Sequence, residues 1–500
     1  MSYSRKSRRE FLRNLACLAA SGSASALIPQ LRMMGTALAS TSSLSGYKAL
    51  VCVYLAGGND SWNVLVPHDA TRYASYLNSR GGTYNSTSNP GGLALTNPAA
   101  GDPQIVVDGN DVNTATNQYF LHPSLTNLAT LYKQNNLALI VNAGTLVEPI
   151  NMIDYNASSA VHPPQLFSHA DQENLWHQAN TIAGSTLGWG GLCADDLQGQ
   201  GANLTSNPKL SLCVSISGAN RFEIGNLVTP YQMSSSGLTA LKAVCNPACT
   251  GGSSNTSVRN TALRDLLGDT TAPNPISYAN DFASEYQSIF QRGRNLYGML
   301  SSGLAAPATP FPNTTLGNEL KMVAEMIKLS RAANYASRQI YYVRVGGFDL
   351  HSGMFSASPS ANNHAGLLGQ VDAALGAFWT ELGVQSAQGD VVAFTASEFA
   401  RTLQSNGAGS DHGWGAVQMV LGGAVNGGKL YSDGSGKIKG FPDQTFNDGV
   451  MTFSRGQCIP GISVDQYAAT IASWLGVSGT SVGTIFPNLG NFGSSNLGFV

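Results

Sequence analysis

Short, continuous apolar runs constrain the fold of this 500-residue chain more than any other feature. Residues 47–58, YKALVCVYLAGG, form one such run and end on a pair of glycines, and residues 137–144, LALIVNAG, form another. A strand that is covered on both faces of a parallel sheet has this pattern, because neither face meets water. The two runs therefore predict buried strands of a parallel sheet.

Helical patterns alternate with these runs. Residues 122–136 carry Leu125, Leu128 and Leu131 along one face, and a second helical pattern covers residues 170–180. Later helices are predicted at 281–303, 318–334, 363–382 and 463–476, and later strands at 339–347, 390–398 and 418–423. This alternation predicts an α/β fold with a mainly parallel central sheet.

The N-terminus is typical of an export signal. Residues 1–39 are basic at first, contain Arg8-Arg9 followed by Glu10-Phe11-Leu12, and continue into a modest apolar stretch of small residues. This pattern predicts a twin-arginine signal peptide, with a basic anchor or amphipathic helix as the alternative. We therefore expect a folded chain exported to the periplasm or secreted, with no transmembrane segment after signal removal. Residues 40–500 are expected to form a single domain with a loop-rich insertion at about 215–275.

The charge content of the chain excludes one class of binding partner. Charged residues make up 11% of the chain, and removal of residues 1–39 changes the net charge from −2 to about −7. Because nucleic-acid binding requires clustered Lys and Arg, no nucleic-acid partner is expected.

Cys245 and Cys249 lie in the insertion and are predicted to form a disulfide, with a zinc clip as the alternative. Cys52, inside an apolar run, is predicted to be a buried thiol.

Acidic and histidine side chains follow several predicted strands. In an open parallel sheet, ligands bind at the carboxyl ends of the strands. The stretches LAGGNDSWN, VRVGGFDLHSG and SEFARTLQSNGAGSDHGWG supply five candidate metal ligands: Asp60, Asp349, His351, Asp411 and His412. Carboxylate with imidazole suits zinc, manganese or iron, whereas carboxylate with carbonyl and water suits magnesium or calcium.

Each candidate has a structural alternative. Asp60 could form a turn or cap a helix, His351 could be a core histidine bonded to Asp349, and Asp411 could form an Asx turn. Three such strand ends in one chain nevertheless favour a shared site over three separate coincidences.

The same stretches resemble a known family. The export signal together with LAGGNDSWNVLVP, FLHPSLTNLATLY, GGFDLHS, SEFARTLQSNGAGSDHGWG and SVDQYAATIASWLG resembles the DUF1501 family of exported bacterial proteins. That family looks like a distant branch of the alkaline phosphatase and sulfatase superfamily. The resemblance implies a three-layer α/β sandwich with helices on both faces and one or two divalent metals. It also implies attack on a phosphate or sulfate ester by a Ser, Thr or modified Cys.

The resemblance implies roles for individual residues. Asp60 stands where the superfamily has its first metal-binding acid, and Asp411 with His412 resembles its Asp-His pair. Asp349 and His351 resemble the acid and histidine of the other metal site, although they lie closer together here. Ser168, at the start of a predicted helix, fits the nucleophile, and a helix N-terminus there would favour an anion; Thr145 is the rival.

Two further positions stay open. Arg401 could bind an oxyanion through its paired N–H groups, or could hold its loop by pairing with Glu398. The superfamily also uses a later histidine, and this chain has none after His412. His364, His169 or Arg455 could substitute, or one metal site could be missing.

The sequence thus predicts an exported, metal-dependent hydrolase of phosphate or sulfate esters, acting on a small molecule or a glycan ester. The metal is expected to be zinc, manganese, magnesium or calcium. The alternative is a non-enzymatic envelope protein that keeps the fold and binds a carbohydrate, a surface structure or a protein partner.

Overall fold

The structure is a computed structural model. It describes residues 44–110, 118–157, 160–179, 185–203, 211–237, 298, 300, 303–332, 335–356, 359–360, 362–432 and 452–500. The predicted signal peptide, the Cys245–Cys249 pair and most of the predicted helix at 281–303 lie outside these residues, as does most of the predicted insertion.

The strands are β1 (Lys48–Leu55), β2 (Leu65–Pro67), β3 (Ile105–Val107), β4 (Gln118–Leu121), β5 (Leu137–Gly144), β6 (Cys213–Ser215), β7 (Tyr231–Gln232), β8 (Arg338–Val345), β9 (Val391–Ala396), β10 (Ala416–Gly422), β11 (Leu430–Tyr431), β12 (Thr452–Phe453), β13 (Gln457–Cys458) and β14 (Ile462–Ser463). The α-helices are α1 (Ala70–Ser79), α2 (Thr126–Lys133), α3 (Met152–Asn156), α4 (His169–Gln178), α5 (Trp189–Gly199), α6 (Thr315–Ala332), α7 (His364–Val384), α8 (Val464–Leu475) and α9 (Gly479–Ile485). Short 3₁₀ turns cover Ser61–Asn63, Gln388–Asp390 and Pro487–Asn491.

The central sheet is mainly parallel, as predicted. Its order is β11-β5-β10-β9-β1-β8-β6-β7, and β14 pairs with β5 off this path. β1 runs parallel to both β8 and β9. β10 is antiparallel to both of its neighbours, β5 and β9. The α/β class and the mainly parallel sheet are therefore confirmed, with one reversed strand inside the sheet.

Apolar cores cover both faces of this sheet. Val51 and Val53 of β1 belong to one core with the buried sides of α2, α6 and α7. Cys52 and Tyr54 alternate with them and belong to a second core with α4, α5 and α8. This alternation explains the continuous apolar run, because a strand with helices on both faces buries every side chain. Cys52 is a buried free thiol, as predicted.

The local sequence determines both ends of helix α8. The Ser463 side chain accepts the Gln466 backbone N–H, and the Gln466 side chain accepts the N–H of Ser463. Gly476 ends the helix in the left-handed region at φ 106°. The predicted capping box and glycine stop are therefore both present.

Within the described residues, no helix is long and apolar enough to cross a membrane.

The reversed strand decides which residues meet at the edge of the sheet. Parallel strands β1, β8 and β9 all end at one edge, and β10 starts there because it runs the other way. The segment 397–415 therefore leaves β9 and enters β10 at the same edge. Its residues lie beside those that follow β1 and β8.

Candidate metal centre

Four side chains from three parts of the chain meet at this edge, and we call them the metal cluster: His169, Asp349, His351 and His412. His169 is the first residue of α4, Asp349 and His351 follow β8, and His412 precedes β10. His169, Asp349 and His412 each offer a ligand atom, and these atoms lie within 4.8 Å of one another. The structure thus brings together three of the five sequence candidates and adds His169.

His412 is oriented by a backbone carbonyl. Its Nδ1 lies 2.7 Å from the Phe167 oxygen, and a carbonyl only accepts, so Nδ1 carries the proton. The remaining nitrogen, Nε2, is 2.9 Å from His351 Nε2 and 3.5 Å from Asp349 Oδ1. Phe167 adopts φ 70°, a left-handed conformation that a non-glycine residue rarely takes. Such strain at a functional site is typical of a position fixed by its surroundings.

His169 is oriented by a buried carboxylate. Its Nδ1 lies 2.8 Å from Glu398 Oε1, and Glu398 also accepts the Gly57 N–H at 2.8 Å and the Tyr54 hydroxyl at 3.2 Å. The hydrogen bond with Glu398 raises the pKa of His169 above its ordinary value, although desolvation opposes it. His169 Nε2 faces Asp349 Oδ2 at 3.5 Å.

His351 is oriented by Asp411. Its Nδ1 lies 3.0 Å from Asp411 Oδ1, and its Nε2 lies 3.2 Å from Asp349 Oδ1. Burial raises the pKa of Asp411, but hydrogen bonds from Asn406 and His351 and the charge of Arg455 lower it to about 2. Asp411, predicted as a ligand, thus lies behind His351 as its hydrogen-bond acceptor.

The three imidazoles share one arrangement. Each Nδ1 faces an oxygen acceptor, and each Nε2 faces Asp349 or another Nε2 of the metal cluster. Metal-binding histidines typically donate their second nitrogen to a carboxylate or carbonyl in this way, which fixes the tautomer and aims the free lone pair. Without a cation, two lone pairs 2.9 Å apart would repel unless one nitrogen were protonated. His169, Asp349 and His412 thus offer donor atoms close enough to share a cation, and His351 Nε2 adjoins two of them at 2.9 and 3.2 Å.

Asp60 lies elsewhere. It forms an ion pair with Arg80 in which both side chains are 0% exposed, and burial raises the pKa of Asp60 although Arg80 opposes that shift. Asp60 follows β1 as predicted, but its carboxylate faces Arg80 instead of the metal cluster. Arg80, just after α1, extends its guanidinium to the loop beyond β1 and pairs with this carboxylate.

Arg401 holds three loops together. Its buried guanidinium donates to the carbonyls of Gly58 at 2.9 Å and Ser410 at 3.0 Å. It also contacts Gly57 and Asp349. The predicted loop-holding role fits these contacts better than oxyanion binding does, although the acidic partner is Asp349 and not Glu398. Arg401 also lowers the pKa of Asp349, against the effect of burial.

The two predicted nucleophiles have other partners. The Ser168 hydroxyl donates to Asp171 Oδ2 at 2.6 Å, and the Thr145 hydroxyl donates to Gln172 Oε1 at 2.6 Å. Ser168 is the N-cap residue of α4, as predicted, but the side chain that reaches the metal cluster from this helix start is that of His169. His169 is also one of the three residues named as a substitute for the missing late histidine. Of the others, His364 is buried against Asn59, and Arg455 contacts Asp411.

Sequence reasoning missed two orienting groups. Glu398 carries a signal, because it lies two residues after a buried strand at the same strand ends as the candidate ligands, but its sequence position alone predicts a partner of Arg401. The Phe167 carbonyl carried none, since any residue supplies a carbonyl and its direction depends on the fold.

Residues 299–438 match the model of a family described as "Protein of unknown function (DUF1501)". This match supports the DUF1501 assignment. The DUF1501 match contains Asp349, His351, Asp411 and His412, whereas His169 lies outside it. No curated protein matches the chain.

A search of solved structures gives a neighbour described as "Crystal structure of Ps i-CgsB in complex with k-i-k-neocarrahexaose". It is 9% identical, covers 87% of this chain and 73% of that chain, and has a TM-score of 0.34. A likeness of this degree carries no argument about the fold or function of this protein.

Proposed function

We propose that the protein is an exported, metal-dependent hydrolase of phosphate or sulfate esters, with one divalent cation held by His169, Asp349, His351 and His412. The observation that carries this proposal is the common arrangement of the three imidazoles, each with Nδ1 on an oxygen acceptor and Nε2 toward the metal cluster. We also propose the alkaline phosphatase-like form of the fold, supported by the mainly parallel sheet with a core on each face, and twin-arginine export, supported by the sequence pattern of residues 1–39.

The donor set favours zinc among the candidate metals. Zinc, and also manganese or iron, accepts imidazole nitrogen together with carboxylate oxygen, whereas magnesium and calcium prefer oxygen ligands. Three nitrogens and one carboxylate therefore make magnesium and calcium the weaker choices.

The residues around the cation would prepare it for ester hydrolysis. A bound divalent cation polarises an ester oxygen and lowers the pKa of a bound water. Glu398, Asp411 and the Phe167 carbonyl fix the histidine rings, so the ligands need little reorganisation. The side chains of Asp349 and His351 are 47% and 45% exposed, which leaves one side of the centre open to a substrate.

Water is the nucleophile that this arrangement favours. The Ser168 hydroxyl is engaged with Asp171, and among the described residues its hydrogen bond does not reach the metal cluster. Hydrolysis adds the hydroxyl of water to phosphorus or sulfur, breaks the ester bond and leaves a proton on the departing alkoxide.

Elemental analysis and a panel of aryl phosphates and sulfates test the proposal. We expect about one divalent cation per chain in protein purified without chelators, and ester hydrolysis that EDTA abolishes. His412→Ala should lose both. His68→Gln is the matched control, because His68 bonds Asn97 outside the metal cluster, and it should lose neither. Absence of stoichiometric metal, with unchanged stability in EDTA, would refute the proposal.

One outcome separates the hydrolase from the alternative. Stoichiometric metal without hydrolysis of any ester in the panel would favour the non-enzymatic envelope protein that binds a carbohydrate, a surface structure or a protein partner.

A further inference from the structure

We infer that Arg455 binds the charged oxygens of the anionic ester at the metal centre, and so helps to select an anionic substrate. This inference rests on the proposed function and deepens it, since it names the residue that would recognise the phosphate or sulfate group.

A tight hairpin holds Arg455 against Asp411, the acceptor behind His351 of the metal cluster. It lies in the turn between β12 and β13, where Ser454 and Gly456 have φ values of 38° and 81°. The Gln404 N–H donates to the Arg455 carbonyl at 3.0 Å, and the Gln457 side chain donates to the His412 carbonyl at 2.7 Å. The hairpin is thus tied to the loop that carries His412, and Arg455 has a fixed place near it.

The guanidinium of Arg455 is only partly engaged. Its Nη1 contacts Asp411 Oδ2, and the side chain is 37% exposed. Within the described part of the chain, no further partner is assigned to its Nε and Nη2 groups. Those two groups form one edge of the guanidinium fork, and such an edge binds two oxygens of a phosphate or sulfate with paired, charge-assisted hydrogen bonds.

The other nearby arginines are engaged differently. Arg401 is buried and donates to backbone carbonyls and Asp349, and Arg80 is buried against Asp60. Arg344 is exposed but faces Glu173 at 3.9 Å. Arg455 therefore combines exposure, an anchored position beside Asp411 and two donor groups with no partner among the described residues.

The charge around the centre supports an anionic substrate. Asp349 contacts Arg401, Asp411 contacts Arg455, and Glu398 contacts His169. With the histidines neutral, these three carboxylates and two guanidinium groups leave one formal negative charge. A divalent cation would reverse this to one positive charge, and removal of Arg455 would cancel it. An anion near such a centre gains from the arginine both charge and directed hydrogen bonds.

Calorimetric titration of the metal-loaded protein with inorganic phosphate and with sulfate tests the inference. Arg455→Gln should weaken the binding of both anions about ten- to a hundredfold, because a charge-assisted pair is lost. Arg455→Lys should lie between this variant and the wild type, since lysine keeps the charge without the fork. Arg344→Gln is the matched control and should bind both anions as the wild type does.

Kinetics give a second readout. Arg455→Gln should raise KM for an aryl phosphate more than it lowers kcat. Wild-type affinity for phosphate in Arg455→Gln would overturn the inference. Loss of metal in that variant would also overturn it, because Arg455 would then act by positioning Asp411 and His351. Failure of the proposed function would instead show in the wild type, as absent metal or absent hydrolysis.

Discussion

Asp60 and Asp349 follow neighbouring parallel strands at the same edge of the sheet, yet their surroundings are opposite. Asp60 follows β1, Asp349 follows β8, and the last residues of these strands, Leu55 and Val345, are register partners. Each acid contacts an arginine. The Asp60 side chain is 0% exposed, whereas that of Asp349 is 47% exposed and faces three histidines.

The difference shows what distinguishes a candidate metal ligand from a structural acid at the end of a strand. The charge of a buried acid that is paired with a buried arginine serves to balance that partner. A half-exposed acid keeps oxygen lone pairs for a cation and access for a substrate. Position after a strand is common to both residues, so burial and neighbouring donors decide the role. Four predictions test this contrast.

The largest effect is expected for Asp60→Asn. This change leaves the Arg80 charge buried without a counter-ion, and we expect a loss of about 3–5 kcal/mol in the free energy of unfolding of the metal-free protein. Urea denaturation measures it. The folded fraction should still bind metal with the wild-type stoichiometry. If metal were lost while stability stayed the same, Asp60 would be a ligand and the contrast would fail.

Asp349→Asn should show the reverse pattern. A neutral amide is a poor ligand, so we expect the metal affinity to fall by about a hundredfold or more. Because Asp349 is half exposed and Arg401 keeps its backbone acceptors, the loss of stability should be smaller than that caused by Asp60→Asn. Competition with a chelating dye measures the affinity. Wild-type affinity in this variant would place the metal elsewhere.

Glu398→Gln tests the group behind His169. Removal of a carboxylate that orients a metal-bound histidine typically costs 10- to 100-fold in affinity, and we expect a loss in this range by the same dye competition. Because Glu398 raises the pKa of His169, protons compete for its Nε2 up to a higher pH than for an ordinary histidine. In Glu398→Gln this pKa should fall, so the affinity should begin to drop from its own high-pH plateau at a lower pH than in the wild type. An unchanged onset of that drop would exclude a role of Glu398 in the protonation of His169.

Phe167→Gly should have the smallest effect. Glycine adopts φ 70° freely, so the carbonyl that holds His412 should keep its direction and the metal affinity should stay within about threefold of the wild type. A tenfold loss would show that the Phe167 side chain, and not its carbonyl, positions His412.

The sequence predicted most of the sheet because its strands are buried on both faces. Residues 137–144 form β5 with the predicted bounds. It did not predict the direction of β10, since a fully buried strand has the same apolar pattern in either direction. That direction depends on pairing with β5 and β9, which are distant in sequence.

The site was predictable only where ligands follow strands. Asp349, His351 and His412 follow or precede strands that meet at one edge. Asp411 lies next to His412 in the sequence. This adjacency does not show whether Asp411 is itself a candidate ligand or, as in the structure, the hydrogen-bond acceptor of His351. Asp60 was assigned by position, and its partner Arg80 lies twenty residues away on another element. His169 begins a helix, and only the packing of that helix against Glu398 shows its role.

Because β10 is reversed, several residues of the candidate metal centre and its surroundings lie in the connection between two neighbouring strands and not in the strands themselves. Residues 397–415 leave the sheet at β9 and return at its neighbour β10, whose backbones lie about 5 Å apart. Such a segment can lengthen, shorten or be exchanged for another without displacing any strand. It carries Glu398, Arg401, Asp411 and His412, so a single insertion or deletion there would alter a ligand, two orienting groups and a loop anchor together. A change in the length of this segment is therefore expected to alter the candidate metal centre while β9 and β10 keep their pairing.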